Sequence, residues 1–290
     1  MKKQELINFL NTFLKIKNFE GKDSSKNWLQ VDTTKKEIKK IWYAVDATTY
    51  IFDLAIANNV DLVLTHHWIF WWIENTLTDI YFERIYKLIK NDIWLYACHL
   101  PLDAHPVVGN NIGILVALVN NLTWWEYKER FNKILADFEN KIEEILNEEE
   151  LIYEDDDFII EKFWRYHWFY IWYWIRFKNQ QFHRTQLISP FAEVMWFERK
   201  FYNFWKKEYF SSVAIVSWWW GSAIKEAKDR WFDIFLTWEL VHWQYTFAKE
   251  IWQSIFVGWH RETEKIGPKL LAYYLKKKFL IEVVFLDEKY

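Results

Sequence analysis

Three segments of the chain carry histidines together with nearby carboxylates. His66 and His67 directly follow one apolar run, and His99 directly follows another. His260 and Glu264 are four residues apart at the start of a segment with helical periodicity, so one helical turn brings both side chains to the same face. Neutral imidazoles and carboxylates are common ligands of divalent transition metals. The sequence therefore predicts a metal site, and the chemistry such ions favour is hydrolysis.

Further polar residues lie close to these histidines along the chain. Asp103 follows His99 by four residues and, like Glu264, offers a carboxylate that can bridge two ions. His99 itself is a candidate for orienting a ligand or for moving protons, and Glu239 at a later strand end is a second candidate. A purely structural role is the alternative for both of these residues. Two neighbouring divalent ions are expected, with Zn, Fe, Mn, Co or Ni all compatible with such ligands.

Strand and helix patterns alternate in both halves of the chain, which is typical of βαβ units with parallel strands. Parallel strands deliver the residues that follow them to one edge of a sheet, where α/β proteins bind ligands. The predicted class is α/β, with two similar interlinked lobes, mainly parallel sheets, and the metal site in the cleft between the lobes. The predicted domains are an N-terminal lobe at 1–123, a variable middle segment at 124–209 and a C-terminal lobe at 210–290.

The individual elements follow from the periodicity of apolar residues. In the first half we predict helices at 4–19, 50–58, 79–90 and 110–121, with strands at 38–45, 61–65 and 93–98. In the second half we predict strands at 213–217, 232–237, 254–257 and 280–285, with helices at 223–229, 241–251 and 263–278.

The middle segment differs in character from the two lobes. A charged helix is predicted at 126–147, followed by an acidic turn at 154–157 that we interpret as solvated surface. The aromatic stretch at 163–177 is compatible with a strand pair packed on the lobes or with a subunit contact.

Composition excludes several classes of protein. The 37 Lys and Arg residues nearly balance 40 Asp and Glu residues, which argues against a dedicated nucleic-acid binder because phosphate contacts need a basic surface. The apolar runs are shorter than the roughly 20 residues of a membrane helix, so no membrane association is expected. The single cysteine, Cys98, cannot form an intramolecular disulfide, and we expect a cytoplasmic protein.

Tryptophan and glycine occur in unusual numbers, with 22 Trp and only 6 Gly. Several Trp residues, among them Trp28, Trp231 and the run at 218–220, lie at predicted element boundaries, where glycine is favoured. We therefore interpret the chain as a Trp-rich variant in which many Trp residues replace glycines of a parent sequence. An unusually aromatic core is the alternative.

The histidine motifs resemble those of a known family, the dinuclear metal centre proteins called GTP cyclohydrolase 1 type 2 homologues or NGG-interacting-factor-like proteins. The T-H-H motif of that family is similar to residues 65–67, and its H-T-N-L-D-A motif is similar to HLPLDA at 99–104. Its G-H-x-x-T-E motif resembles WHRETE at 259–264, with Trp259 at the glycine position. Trp28, Trp68 and Trp238 also stand beside motif positions.

This resemblance implies specific residue roles and an assembly. The metal ligands it implies are His66, His67, Asp103, His260 and Glu264. It also implies a ring-shaped homohexamer and a small-molecule nucleotide as substrate. In that reading, metal-activated water attacks C8 of GTP and opens the guanine ring, and hydrolysis of a phosphate ester would use the same groups. The alternative is a non-catalytic metal-binding scaffold or partner-interaction protein.

Overall fold

A computed structural model describes residues 1–70, 76–122, 136, 139–140, 151–154, 156–166, 169–186, 200–217, 221–258 and 260–284. The chain forms two compact units. Unit 1 comprises residues 1–102 and 267–290, and unit 2 comprises residues 103–266. The domains predicted from the motifs are three consecutive stretches of sequence. The two units are defined by contacts instead, and the C-terminal residues 267–290 belong to unit 1 together with the N-terminal residues. Among the described residues, none of the helices is both long and apolar enough to span a membrane.

Unit 1 is built on a five-stranded sheet. The strands are β1 (Trp28–Val31), β2 (Lys40–Ala44), β3 (Leu62–Thr65), β4 (Trp94–Ala97) and β14 (Glu282–Val284). Their order in the sheet is β1-β4-β3-β2-β14. The pairs β4-β3, β3-β2 and β2-β14 are parallel, and only the edge strand β1 is antiparallel to its neighbour. The helices are α1 (Lys3–Phe13), a 3-10 turn (Ile16–Phe19), α2 (Thr49–Ala57), α3 (Asp79–Lys90), α4 (Leu100–Asp103) and α9 (Ile266–Phe279). The last residue of α4, Asp103, is the first residue of unit 2, and the chain re-enters unit 1 in α9.

Unit 2 contains a seven-stranded sheet. The strands are β5 (Leu151–Glu154), β6 (Phe158–Tyr166), β7 (Phe169–Phe177), β9 (Lys200–Tyr202), β11 (Ser212–Val216), β12 (Ile234–Thr237) and β13 (Ser254–Val257), with β8 (Phe182–His183) and β10 (Tyr209–Phe210) forming a separate pair. The order of the strands in the seven-stranded sheet is β5-β6-β7-β11-β12-β13-β9. The central pairs β11-β12 and β12-β13 are parallel, and antiparallel strands extend the sheet on both sides. The helices are α5 (Asn110–Leu122), α6 (Gly221–Asp229), α7 (His242–Glu250) and α8 (His260–Glu264).

Burial explains why the central strands form. Every residue of β3, β4 and β12 is buried, as expected for parallel strands covered on both faces, and these strands read as continuous apolar runs. The core of unit 1 includes Trp42, which is fully buried, and the core of unit 2 centres on residues such as Tyr173 and Leu236. The predicted α/β class is confirmed.

Two predicted elements differ from the observed ones, and a third prediction is decided by the sheet. The first helix ends at Phe13, because Lys15 adopts a left-handed backbone with φ of 51° before the 3-10 turn. The last strand, β14, pairs with β2 of unit 1 instead of joining the sheet of the second half. The aromatic stretch at 163–177 belongs to the antiparallel pair β6-β7, so the strand-pair interpretation is correct. Most of the helix predicted at 126–147 lies outside the described residues.

Two tryptophans occupy backbone positions that favour glycine. Trp231 and Trp252 have φ of 62° and 58°, directly after α6 and α7. Both helices end in the same motif, in which the amide of the residue after the Trp donates to the carbonyl five residues before it. Phe232 N donates to Ala227 O at 3.0 Å, and Gln253 N donates to Ala248 O at 2.9 Å. The left-handed residue of this motif is usually glycine, because a Cβ atom is strained there. These two positions support the replacement of glycine by Trp.

We predict that Trp231→Gly and Trp252→Gly each raise the free energy of unfolding, by about 1 kcal/mol, because glycine removes the left-handed strain of roughly 1–2 kcal/mol. Urea denaturation measures this. Trp28→Gly is the matched control: Trp28 lies in strand β1 and has no positive φ, so its replacement should destabilise the protein. Destabilisation by all three changes would contradict the prediction.

Candidate metal centre

The register of three parallel strands positions the histidines of unit 1. Ala44 of β2 is paired with Thr65 of β3, which is paired in turn with Ala97 of β4. The pairing continues beyond the strand ends, because His67 N donates to Val45 O at 2.8 Å. Counting onward in this register places residues 46, 67 and 99 at the same level, just past the carboxyl edge of the sheet.

Three imidazoles converge at this edge. One ring nitrogen from each of His66, His67 and His99 lies within 4.8 Å of the other two. His66 and His99 are buried, with 0% and 2% of their surface exposed, whereas His67 is partly exposed. Adjacent residues inside a strand point to opposite faces, but His66 and His67 lie beyond the end of β3, so both rings reach the same group.

Hydrogen bonds fix the rings of His66 and His67. Nδ1 of His66 lies 2.9 Å from the carbonyl oxygen of Cys98. Nδ1 of His67 lies 2.7 Å from Oδ1 of Asp46. Both partners accept hydrogen bonds, so Nδ1 carries the proton and Nε2 keeps the lone pair that a metal ion needs. This is the usual arrangement of metal-binding histidines, whose second nitrogen donates to a carbonyl or carboxylate.

His99 is held by a buried carboxylate. Its Nδ1 lies 3.1 Å from Oδ1 of Asp23, and its backbone N donates to Oδ1 of Asn27 at 2.6 Å. Asp23 also accepts from the backbone N of Ser25 at 2.9 Å and of Leu100 at 3.0 Å. Burial of the Asp23 carboxyl raises its pKa, but the His99 imidazole and the hydrogen bonds from His99, the Asn27 side chain and the Ser25 amide lower the pKa below its usual value of 3.8. Asp23 therefore stays ionised and orients His99.

In unit 2, Asp103 lies at the end of α4 within a buried polar network. Asn110 Nδ2 donates to Oδ1 of Asp103 at 2.8 Å, and Asn111 Nδ2 donates to the Asp103 carbonyl at 3.2 Å. Asn111 also receives a bond from the backbone N of Ser217 at 2.9 Å. Trp172 Nε1 donates to the Ser217 carbonyl at 3.0 Å. All five residues are buried, so the carboxylate of Asp103 is fixed by the start of α5.

The other predicted residues of unit 2 meet around His260. Nδ1 of His260 lies 3.2 Å from Oε1 of Glu239, and its Nε2 lies 2.8 Å from Oε1 of Glu264. The Glu264 side chain is fully buried, whereas Glu239 is 49% exposed. The Trp238 ring stacks on the His260 ring at 5.2 Å, and Trp238 is itself buried. The helical spacing of four residues thus brings His260 and Glu264 together within α8 as expected.

The structure thus gathers the predicted residues into three groups. They are His66, His67 and His99 in unit 1, His260 with Glu239 and Glu264 in unit 2, and Asp103 with its asparagine partners in unit 2. Their donor chemistry fits a divalent transition metal: imidazoles whose Nδ1 atoms have acceptors, and carboxylates. Trp259 lies outside the described residues.

Sequence reasoning missed the partners Asp23, Asp46 and Asn110. Asp46 could have been found by extending the strand register by two residues from Ala44, since that places it opposite His67. Asp23 lies in a loop before β1, and no pattern in the sequence indicates its contact with His99, 76 residues away.

The fold and these groups define a class: an α/β protein with two large sheets and histidine-rich groups that could hold a metal ion. The sequence model of the Duf34/NIF3 (NGG1p interacting factor 3) family matches residues 1–290. The chain belongs to this family.

Individual relatives agree with this assignment. A GTP cyclohydrolase 1 type 2 homolog of Pyrococcus horikoshii is 33% identical over 99% of this chain and 98% of its own length. One from Archaeoglobus fulgidus is 32% identical over 98% of this chain and 96% of its own length. Among solved structures, TTHA1606 from Thermus thermophilus superposes with a TM-score of 0.74 at 26% identity, covering 100% of this chain and 99% of its own.

We predict that Asp23→Asn lowers the free energy of unfolding of the metal-free protein at pH 7 by about 1–3 kcal/mol, because buried donors lose a charged acceptor. The pKa of Asp23 is lower in the folded chain than its usual value of 3.8, so the stabilisation is present above that value and is lost as the pH falls through the folded-state pKa. Urea denaturation should show a constant difference between the two proteins from pH 7 down to about pH 4, and convergence only at lower pH.

The control for this prediction is Asp32→Asn. Asp32 pairs with Lys3 at 2.6 Å, but its side chain is 60% exposed, so little change is expected at any pH. A loss in Asp23→Asn that stayed constant across the pH range would contradict the assigned ionisation.

Proposed function

We propose that this chain is a hydrolase that uses two divalent cations to act on a nucleotide. The ligands are His66, His67, Asp103, His260 and Glu264, as the family motifs imply. The observation that carries the proposal is the convergence of ring nitrogens within 4.8 Å in unit 1, with the opposite nitrogens held by acceptors. Divalent ions, when bound, lower the pKa of coordinated water and stabilise charge on the attacked group.

The protein's own groups prepare the ligands and move protons. The Cys98 carbonyl and Asp46 accept from Nδ1 of His66 and His67, so that in each neutral imidazole the lone pair lies on Nε2. We assign proton transfer to His99 and Glu239. The buried Asp23 carboxylate holds the ring of His99 at Nδ1, and Glu239 is half exposed beside His260.

Two nucleotide reactions are compatible with these groups. One is ring opening of GTP at C8 of guanine, which is supported by the names of the relatives. The other is hydrolysis of a phosphate ester, which needs the same ions and proton-transfer groups. Zn, Fe, Mn, Co and Ni all suit imidazole and carboxylate ligands. We assign the reaction to the cytoplasm, with which the free thiol of the buried Cys98 is compatible.

A second candidate function is a metal-binding homohexameric scaffold that interacts with partners. One observation favours an interaction surface: Phe82, Tyr86 and Ile89 on one face of α3 are 51%, 48% and 58% exposed. Their spacing is that of a helix face, and the rings of Phe82 and Tyr86 stack at 5.5 Å. Contiguous exposed apolar patches mark interaction sites, and the occupant we assign is a second copy of this chain.

We predict about two divalent ions per chain in the purified wild type, measured by elemental analysis, because the ligand set suffices for two ions. His66→Ala and His260→Ala should each reduce this number. His183→Ala is the control, since His183 bonds to Thr185 outside the predicted site. Wild-type protein with metal and with activity on GTP or a nucleotide phosphate ester supports the enzyme. Well-folded protein without metal would contradict both candidate functions.

We predict that the protein in solution has about six times the mass of the 36.0 kDa chain, measured by light scattering. Phe82→Asp should lower this mass, because a charge is costly in an apolar contact. Tyr209→Asp changes an aromatic residue that is equally exposed, at 54%, in unit 2, and it serves as the control. A monomeric wild type, or equal effects of the two changes, would rule out the assigned surface.

A further inference from the structure

Asp46 lies in the loop between β2 and α2, directly opposite His67. The parallel register of β2 and β3 pairs Ala44 with Thr65 and so sets residue 46 against residue 67. The side-chain contact follows this register, with Oδ1 of Asp46 lying 2.7 Å from Nδ1 of His67. The Asp46 side chain is 36% exposed and that of His67 is 13% exposed, so the contact lies near solvent and not deep in the core.

The backbone holds both partners in place independently of their side chains. His67 N donates to Val45 O at 2.8 Å, which fixes the chain on either side of the contact. The following helix α2 is capped by Thr48, whose Oγ1 accepts from Ile51 N at 3.3 Å. Asp46 is therefore not the capping residue of α2, and its carboxylate is directed to His67.

A carboxylate at Nδ1 has two effects on an imidazole. It requires the proton to lie on Nδ1, which leaves the lone pair on Nε2, and its negative charge makes that lone pair a stronger donor. His66 has a neutral carbonyl, that of Cys98, at the same position. The two adjacent histidines are therefore expected to differ, with His67 the stronger donor.

We propose that Asp46 is a positioning residue that sets the metal affinity of the centre through His67, without contacting the ion. The proposal rests on the proposed function, because it needs a divalent ion at Nε2 of His67. It adds a residue outside the family's ligand motifs, and its effect appears in metal binding, so it is measurable without a known substrate.

The experiment measures zinc affinity of metal-free protein by competition with a chelator. Asp46→Ala should bind zinc about 10–100-fold more weakly than the wild type, which is the usual effect of removing the outer partner of a ligand histidine. Asp46→Asn keeps an oxygen that can accept from Nδ1 but lacks the charge, so its affinity should lie between the two. Asp53→Ala is the matched control: Asp53 is an exposed carboxylate of α2 that pairs with Lys87 at 2.6 Å, and its loss should leave zinc affinity unchanged.

Two results would overturn the proposal. One is a folded Asp46→Ala protein whose zinc affinity stays within threefold of the wild type, and the other is an equal loss in Asp53→Ala. Thermal unfolding confirms that each variant is folded; if Asp46→Ala does not fold, Asp46→Asn decides, and zinc affinity equal to that of the wild type would then overturn the proposal. Wild-type protein that binds no zinc would instead refute the proposed function itself, so the two failures are distinguishable.

Discussion

The register of β2, β3 and β4 is the constraint on which the unit 1 site depends. Because these strands are parallel and paired at Ala44, Thr65 and Ala97, their carboxyl ends stop at one level. The residues that follow leave the sheet together, and this brings His67 and His99 close although they are 32 positions apart in the sequence. A shift of one residue in either pairing would turn the side chains to the other face.

Hydrogen-bond partners around each of these groups hold its imidazole and carboxylate side chains in place. Imidazoles in unit 1 have a carbonyl or carboxylate at Nδ1, Asp103 receives a bond from Asn110, and His260 is held by Glu239. Buried polar groups are costly unless they are bonded, so these partners stabilise the fold as well as the ligands. The same residues therefore stabilise the fold and hold the side chains that could bind a metal ion, so a substitution at any of them should be tested for its effect on stability as well as on metal binding.

The sequence was sufficient for the parts of the fold that local patterns determine. The apolar runs that become β3 and β4 are such patterns, and so is the helical spacing that brings His260 and Glu264 into contact. Nonlocal pairing was not predictable in this way. The return of β14 to the first sheet and the contact of Asp23 with His99 depend on tertiary packing, which leaves no periodic signal in the chain. The ligand set is what the family resemblance implies, and the register explains why the unit 1 histidines converge in a group that could hold a metal ion.

The central claim is that the histidines of unit 1 are held ready for a metal ion before it binds. Long-range ¹H–¹⁵N NMR of the metal-free protein tests this most directly, because it reports which ring nitrogen carries the proton. The account predicts protonated Nδ1 and unprotonated Nε2 for both His66 and His67, since the Cys98 carbonyl and Asp46 accept at Nδ1. Protonated Nε2, or rapid exchange between the two forms as in a free imidazole, would contradict it.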